Sequence, residues 1–172
     1  MKNTWLMAVV LAACAAPANA AIERNDVDAF VITHEVDSSI DEDALWQRMI
    51  TPSSWWDSGH SWSGDAANMT LEPRAGGCWC EATQQGGSVE HGHVVAFEPA
   101  RGRLLMRAEL GPLQSMAVNG WLEWRVMARE GGGSHVSWRY TVVGRSFDLA
   151  SGLAAGVDMV LAQQLGRLTA VD

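Results

Sequence analysis

The feature that most restricts this chain is a succession of strand-length runs with no room for helices between them. After Met69 the pattern recurs over Met69 to Glu72, Cys78 to Thr83, Val89 to Glu98, Leu104 to Leu110, Ser115 to Arg129 and His135 to Val143. Between the runs stand Gly76-Gly77, Gly86-Gly87, Pro99 to Gly102, Gly111-Pro112 and Gly131-Gly132-Gly133, which supply the backbone freedom or rigidity that chain reversals need. Parallel strands require crossovers of a dozen residues or more, so runs this close together predict an antiparallel meander.

The flanks complete the outline. Asp28 to Asp37 alternates, with Phe30, Ile32, His34 and Val36 on one face, and predicts a first, partly buried strand. Ser38 or Ser39 is placed to cap a helix whose first turn carries Asp41, Glu42 and Asp43, favourable at the positive end of the helix dipole, before Leu45, Trp46, Met49 and Ile50. Pro52 ends it, and residues 53–68, rich in Ser, Gly, Asp and Trp, predict a short helix and a structured loop. At the other end Leu149, Leu153, Val157, Val160, Leu161, Leu165 and Leu168 recur three and four apart, predicting a helix over about 149 to 169, with Gly152 and Gly156 allowing close approach. The expected fold class is α+β. A curved antiparallel sheet of about seven strands would wrap a long C-terminal helix, with one or two short helices after the first strand and space for a cavity between sheet and helix. A composition 48% hydrophobic closes one core of ordinary size, so 21–172 is expected to be a single domain.

Residues 1–20 read as an export signal: Lys2, an apolar stretch from Trp5 to Ala16, and Ala18-Asn19-Ala20 as a small-x-small cleavage site. The stretch is too short to span a bilayer. Leu11-Ala12-Ala13-Cys14 also fits a lipoprotein signal, in which Cys14 would be lipidated and tie the chain to a membrane. Either route leads to a periplasmic or secreted protein. Cleavage removes Lys2, the chain's lysine, and takes the net charge from −8 to −9. P-loop and Schiff-base chemistries need that amine, and a negative chain without a basic stripe is no nucleic-acid binder, so those classes drop out.

The element order, Trp46 followed by Pro52-Ser53-Ser54-Trp55-Trp56, Leu71-Glu72-Pro73-Arg74-Ala75-Gly76-Gly77 leading into a strand, and Pro99 before another together resemble the START-like (SRPBCC, helix-grip) superfamily. The resemblance runs from about Val27 to Leu168 and points to the group resembling the Hsp90 ATPase activator homologue and polyketide cyclases. It implies a deep hydrophobic pocket between sheet and C-terminal helix, used in different members for lipids, aromatic polyketides, hormones or partner proteins. The export segment and Cys78-Trp79-Cys80 depart from the better-known members.

Several side chains could carry function. Trp55, Trp56 and Trp62 with His60 lie in the irregular segment that such folds place at a pocket mouth, and Trp124 and Tyr140 on later strands join them as ligand-facing candidates; plain packing is the competing reading. Cys78 and Cys80 share a strand face, and His91 and His93 follow with the same spacing. A two-residue turn at Gly86-Gly87 would set Cys80 opposite His93 and Ala82 opposite His91, a set able to hold zinc; a register slip of one residue would separate them. A Cys78–Cys80 disulfide is the second alternative, although residues i and i+2 of an extended strand lie about 6.5–7 Å apart at Cα, near the limit for a bridge. Two small thiols filling the sheet surface are the reading taken first. Glu81, Glu90, Asn119, Glu123, Arg125 and Arg139 are further polar strand positions, and nothing in their spacing singles out a catalytic dyad.

The leading expectation is thus an exported module binding a small hydrophobic or aromatic ligand, without cofactor. The alternatives are a cyclase- or dehydratase-like enzyme with His60 or His91 as general base, and a protein-partner module of the cell envelope.

Overall fold

The structure, a computed structural model, describes residues 19–145 and 152–171. Cys14, Leu149 and all but the last two residues of the expected signal lie outside these, and the signal and lipidation expectations with them. Eight strands form one antiparallel sheet: β1 (Asn19–Asp26), β2 (Ala29–Ser38), β3 (Met69–Leu71), β4 (Cys78–Ala82), β5 (Ser88–Glu98), β6 (Arg103–Arg107), β7 (Val118–Ala128) and β8 (Ser134–Gly144). The order is β1-β2-β8-β7-β6-β5-β4-β3, so the meander expected from the Gly and Pro separators is present from β3 to β8 and β2 pairs with its last strand. The sheet is curved and unclosed, and the molecule is an α+β, helix-grip-like fold.

The extra strand is β1, one more than the seven expected. Its sequence, Asn-Ala-Ala-Ile-Glu-Arg-Asn-Asp, has neither alternation nor many strand-forming residues. Pairing along β2 holds it in place, with Ile22 opposite Ile32 and Asn25 opposite Phe30, and Glu23 accepts a 2.7 Å bond from Arg139 of β8. Tertiary context has overridden propensity here.

The first helix, α1 (Glu42–Met49), is capped by Asp41, whose carboxylate accepts from the Ala44 amide at 2.9 Å. This corrects the expectation of Ser38 or Ser39: the Ser38 hydroxyl instead accepts from the Ile40 amide. α1 buries Leu45, Trp46 and Met49, with Trp46 stacked on Phe97. Short 3-10 turns follow at Pro52–Ser54, Ser58–His60 and Ala66–Asn68. The C-terminal helix, α2 (Ala154–Thr169), is anchored by Arg48 of α1, which donates to the carbonyls of Arg167 and Ala170 and so satisfies groups that a helix end leaves open. Among the described residues no helix is long and apolar enough to cross a membrane.

Tryptophans build much of the core. Trp124 stacks on its cross-strand partner Trp138 with ring centres 5.1 Å apart, Trp55 lies 5.7 Å from each, and Trp79 lies 5.3 Å from Trp124. At ~25 cal/mol per Å², the 150–250 Å² that such a ring buries is worth roughly 4–6 kcal/mol before the entropy of ordering it. Gly120 marks a close approach between β7 and the residue that follows β6: a Cβ there would lie 1.9 Å from the Ala108 carbonyl oxygen.

Candidate ligand cavity

A cavity of about 730 Å³ lies between the loop Trp56–Trp62, the connection from Leu110 to Met116, His91 on β5, and the N-terminal half of α2. Its walls are mostly apolar: Trp56, Trp62, Leu110, Pro112, Leu153, Val157, Met159, Val160 and Leu161, with His60, Ser61 and His91 as the polar members.

The α2 stripe serves two purposes. Its C-terminal half packs on the core through Leu161, Leu165 and Leu168, all fully buried. Leu153, Val157 and Val160 are only half-buried and line the cavity, with Leu153 and Val157 also touching the edge of the core. Gly156 also lines it, and a Cβ built there meets nothing within 4 Å, so the close approach expected at this glycine is not made. The Trp56–Trp62 wall is tied to the helix: the Asp57 amide donates to Gln164 Oε1 at 2.8 Å, Gln163 donates to Asp57, and Arg167 donates to the Trp55 carbonyl.

The floor holds a buried polar pair. His91 Nε2 lies 2.7 Å from Glu81 Oε2, with the imidazole 4% and the carboxylate 0% exposed. Glu81 also accepts from the backbone amides of Trp62 and Ser63, which fastens the tryptophan loop to β4. Burial alone would push the Glu81 carboxyl up, but the donors from Ser63, Trp62 and His91 outweigh it and hold the group below the ordinary carboxylate range. Burial pushes His91 below the usual imidazole range, with Glu81 opposing only in part. The carboxylate therefore accepts the Nε2 proton, and His91 is neutral near pH 7 with its lone pair on Nδ1. No described residue bonds that nitrogen.

His91 reaches the floor because of a β-bulge. Trp79 pairs with Gly92 and Cys80 with Glu90, leaving His91 as the extra residue of β5, a device that re-aims a side chain. The chain reverses not in two residues but over Thr83–Gly87, with Gln85 at φ 59°, so Ala82 pairs with Ser88 and Cys78, not Cys80, faces His93. His91 turns inward against Trp79, ring centres 5.2 Å apart, while His93 is exposed. The structure therefore does not bring Cys78, Cys80, His91 and His93 together, and Cys78 and Cys80 form a disulfide with Cα atoms 5.4 Å apart. Free thiols as the first reading are corrected by this bond: β4 is contracted opposite the bulge, below the extended spacing that argued against it.

The other sequence candidates separate cleanly. Trp56, His60 and Trp62 line the cavity, and Trp62 is 54% exposed. Trp55, Trp124 and Tyr140 are buried in the core away from its lining; Trp55 donates to the Arg48 carbonyl, and the Tyr140 hydroxyl donates to the Ala108 carbonyl while accepting from the Leu110 amide. Glu81 was one of several strand carboxylates in the sequence, and only the bulge and the two loop amides distinguish it. The Gly111–Ser115 turn lines the cavity through Pro112, a contribution that its turn-like sequence hides.

Comparison with known proteins adds the fold alone. No family model matches the chain, and no curated protein matches it. Solved structures do: a protein from Rhizobium leguminosarum (16% identity, TM-score 0.57, covering 83% of this chain and 93% of that one), the protein Ms6760 from Mycobacterium smegmatis (13%, 0.57, 88% and 95%) and a protein from Mesorhizobium loti (18%, 0.55, 81% and 93%). Their likeness covers nearly the whole of each neighbour.

Proposed function

We propose that this protein binds a small hydrophobic or aromatic molecule in the cavity between its tryptophan loop and α2, and that it works in the periplasm or as a secreted protein. The observation that carries the reading is the cavity: about 730 Å³ of mainly apolar lining falls in the size range of small-molecule sites, with a few polar groups to orient what enters. The Cys78–Cys80 disulfide supports an oxidising compartment, as does the export-like pattern of residues 1–20; lipidation at Cys14 would add a membrane anchor. We also read the chain as START-like, in the SRPBCC group resembling the Hsp90 ATPase activator homologue and polyketide cyclases, on the element order and the local patterns around Trp55-Trp56 and Pro73-Arg74.

The Glu81–His91 pair favours a second reading, an enzyme of the cyclase or dehydratase kind. A neutral imidazole oriented by a carboxylate is the arrangement of a general base and its positioning partner. Turnover abolished in His91→Ala and retained in His60→Ala would support it.

Native mass spectrometry of protein recovered from its own source, compared with the same sample denatured, tests the binding reading. Organic mass released on denaturation supports it. A bare polypeptide in repeated preparations, together with no uptake of naphthalene-sized probes, would end it.

A further inference from the structure

We infer that the cavity selects an uncharged ligand bearing a hydroxyl, an alcohol or a phenol, which donates to Nδ1 of His91, and that it rejects carboxylates and hydroxyl-free analogues. This rests on the binding reading above and names the ligand chemistry of that site.

The argument starts from Glu81. Its carboxylate sits at the junction of three donors, the amides of Trp62 and Ser63 and the His91 ring, and each favours the ionised form. An ionised acceptor fixes the tautomer of its partner: the proton is on Nε2 and the lone pair on Nδ1. His91 is 4% exposed and lines both the cavity and a smaller, more polar pocket shared with Glu90, Arg107, Glu109 and Gln114, so the cavity is one of two sides from which water reaches the ring. A ligand that fills the cavity and covers Nδ1 removes the water on that side. It must then supply a donor, or leave a buried acceptor unsatisfied.

The other lining groups sharpen the preference. No arginine or lysine is among the described residues that line the cavity; Arg107 lines the smaller pocket on the other side of His91, in company with Glu90 and Glu109, and the buried charge beside the cavity is the negative one of Glu81. A carboxylate ligand would lose its hydration with no cation to receive it and would stand near a like charge. Ethers and ketones bring only acceptors and would oppose lone pair to lone pair. An alcohol or phenol meets the requirement without net charge, and the indole faces of Trp56 and Trp62 suit an aromatic body.

The test uses four probes of one skeleton against the oxidised protein at neutral pH: 1-naphthol, naphthalene, 1-methoxynaphthalene and 1-naphthoate, followed by calorimetry and tryptophan quenching. The expected result is 1-naphthol bound about 10- to 100-fold more tightly than naphthalene or the methyl ether, with naphthoate weakest. In His91→Phe, checked for native near-UV dichroism, the ratio of 1-naphthol to naphthalene affinity should fall to about one, whatever the change in naphthalene binding itself. Equal affinity of the wild-type protein for naphthol and naphthalene, or preference for naphthoate, overturns the inference while leaving the binding reading in place. A naphthol preference that survives in folded His91→Phe also overturns it. Failure of all four probes to bind overturns the inference and, together with a bare polypeptide in native mass spectrometry, removes the binding reading itself. Should His91→Phe not fold, the wild-type series decides alone.

Discussion

The Cα atoms of Cys78 and Cys80 lie 5.4 Å apart, and the residue that follows, Glu81, holds the ring of His91. The disulfide and the polar floor of the cavity are thus consecutive along β4, and relaxing one moves the other. A ring closed over so few residues removes little chain entropy, about 1–2 kcal/mol in the loop-closure model. Reduction is therefore expected to leave the fold intact, lower stability by about that amount, and weaken a hydroxyl-bearing probe more than naphthalene as β4 extends. Intact mass before and after reduction checks the bond, since the untreated protein should lack two hydrogens. Identical masses would show free thiols and remove the coupling.

Trp55 and Trp62 should respond in opposite ways. Trp55 is 1% exposed and packs on Trp124 and Trp138, so Trp55→Ala is expected to cost about 3–5 kcal/mol by denaturant melting. Trp62 is half in solvent at the cavity rim, so Trp62→Ala should change stability by no more than about 0.5 kcal/mol while weakening probe binding several-fold. Unchanged binding in Trp62→Ala would take that ring out of the site.

What was legible in the sequence divides along physical lines. The meander could be read because Gly and Pro punctuate it, and the burial of Phe30, Ile32 and His34 followed from period-two alternation. β1 could not, since its stability comes from pairing with β2 and from Arg139, not from its own residues. The β4–β5 register was missed because the reversal takes five residues, with Gln85 in the left-handed region, where a two-residue Gly-Gly turn was the simplest reading. The same uncertainty hid the Glu81–His91 pair, which exists only because His91 is the extra residue of a bulge. In α2 the apolar stripe was visible, but a stripe does not say which of its turns meet a sheet and which meet empty space.

Gly156 turns that last point into an experiment. A Cβ added there stands on the cavity wall with no protein atom within 4 Å, and replacing glycine within a helix removes a backbone-entropy cost of about 0.5–1 kcal/mol. Gly156→Leu is expected to fold with equal or higher thermal stability and to lose most of its probe binding. A variant that binds naphthalene as tightly as the wild-type protein would place the ligand elsewhere.

Acid should destabilise the protein in two stages. His91 and His34 are both buried, and burial holds both imidazoles below their usual range; at His34 the carboxylate of Asp158, 3.0 Å from Nε2 but off the line of a hydrogen bond, opposes this only in part. A lowered imidazole means that the folded protein binds fewer protons than the unfolded chain. Stability is then fully present above the unfolded pKa of about 6.5 and is lost as pH falls from there toward the folded values. With two such groups the loss is at most about 2–3 kcal/mol per pH unit. The carboxylates held low by their donors, Glu81, Glu123 and Glu98 among them, have the opposite shift in pKa relative to their charge but the same consequence at lower pH: their contribution persists above about 4.5 and disappears below it. Urea melts between pH 7.5 and 3 should show a first decline beginning near pH 6.5 and a second below about 4.5. His34→Leu with His91→Phe should flatten the first decline and leave the second. A wild-type stability that stays constant from pH 7 to pH 5 would mean that neither histidine is held neutral by the fold, and with it would go the fixed lone pair on which ligand selection depends.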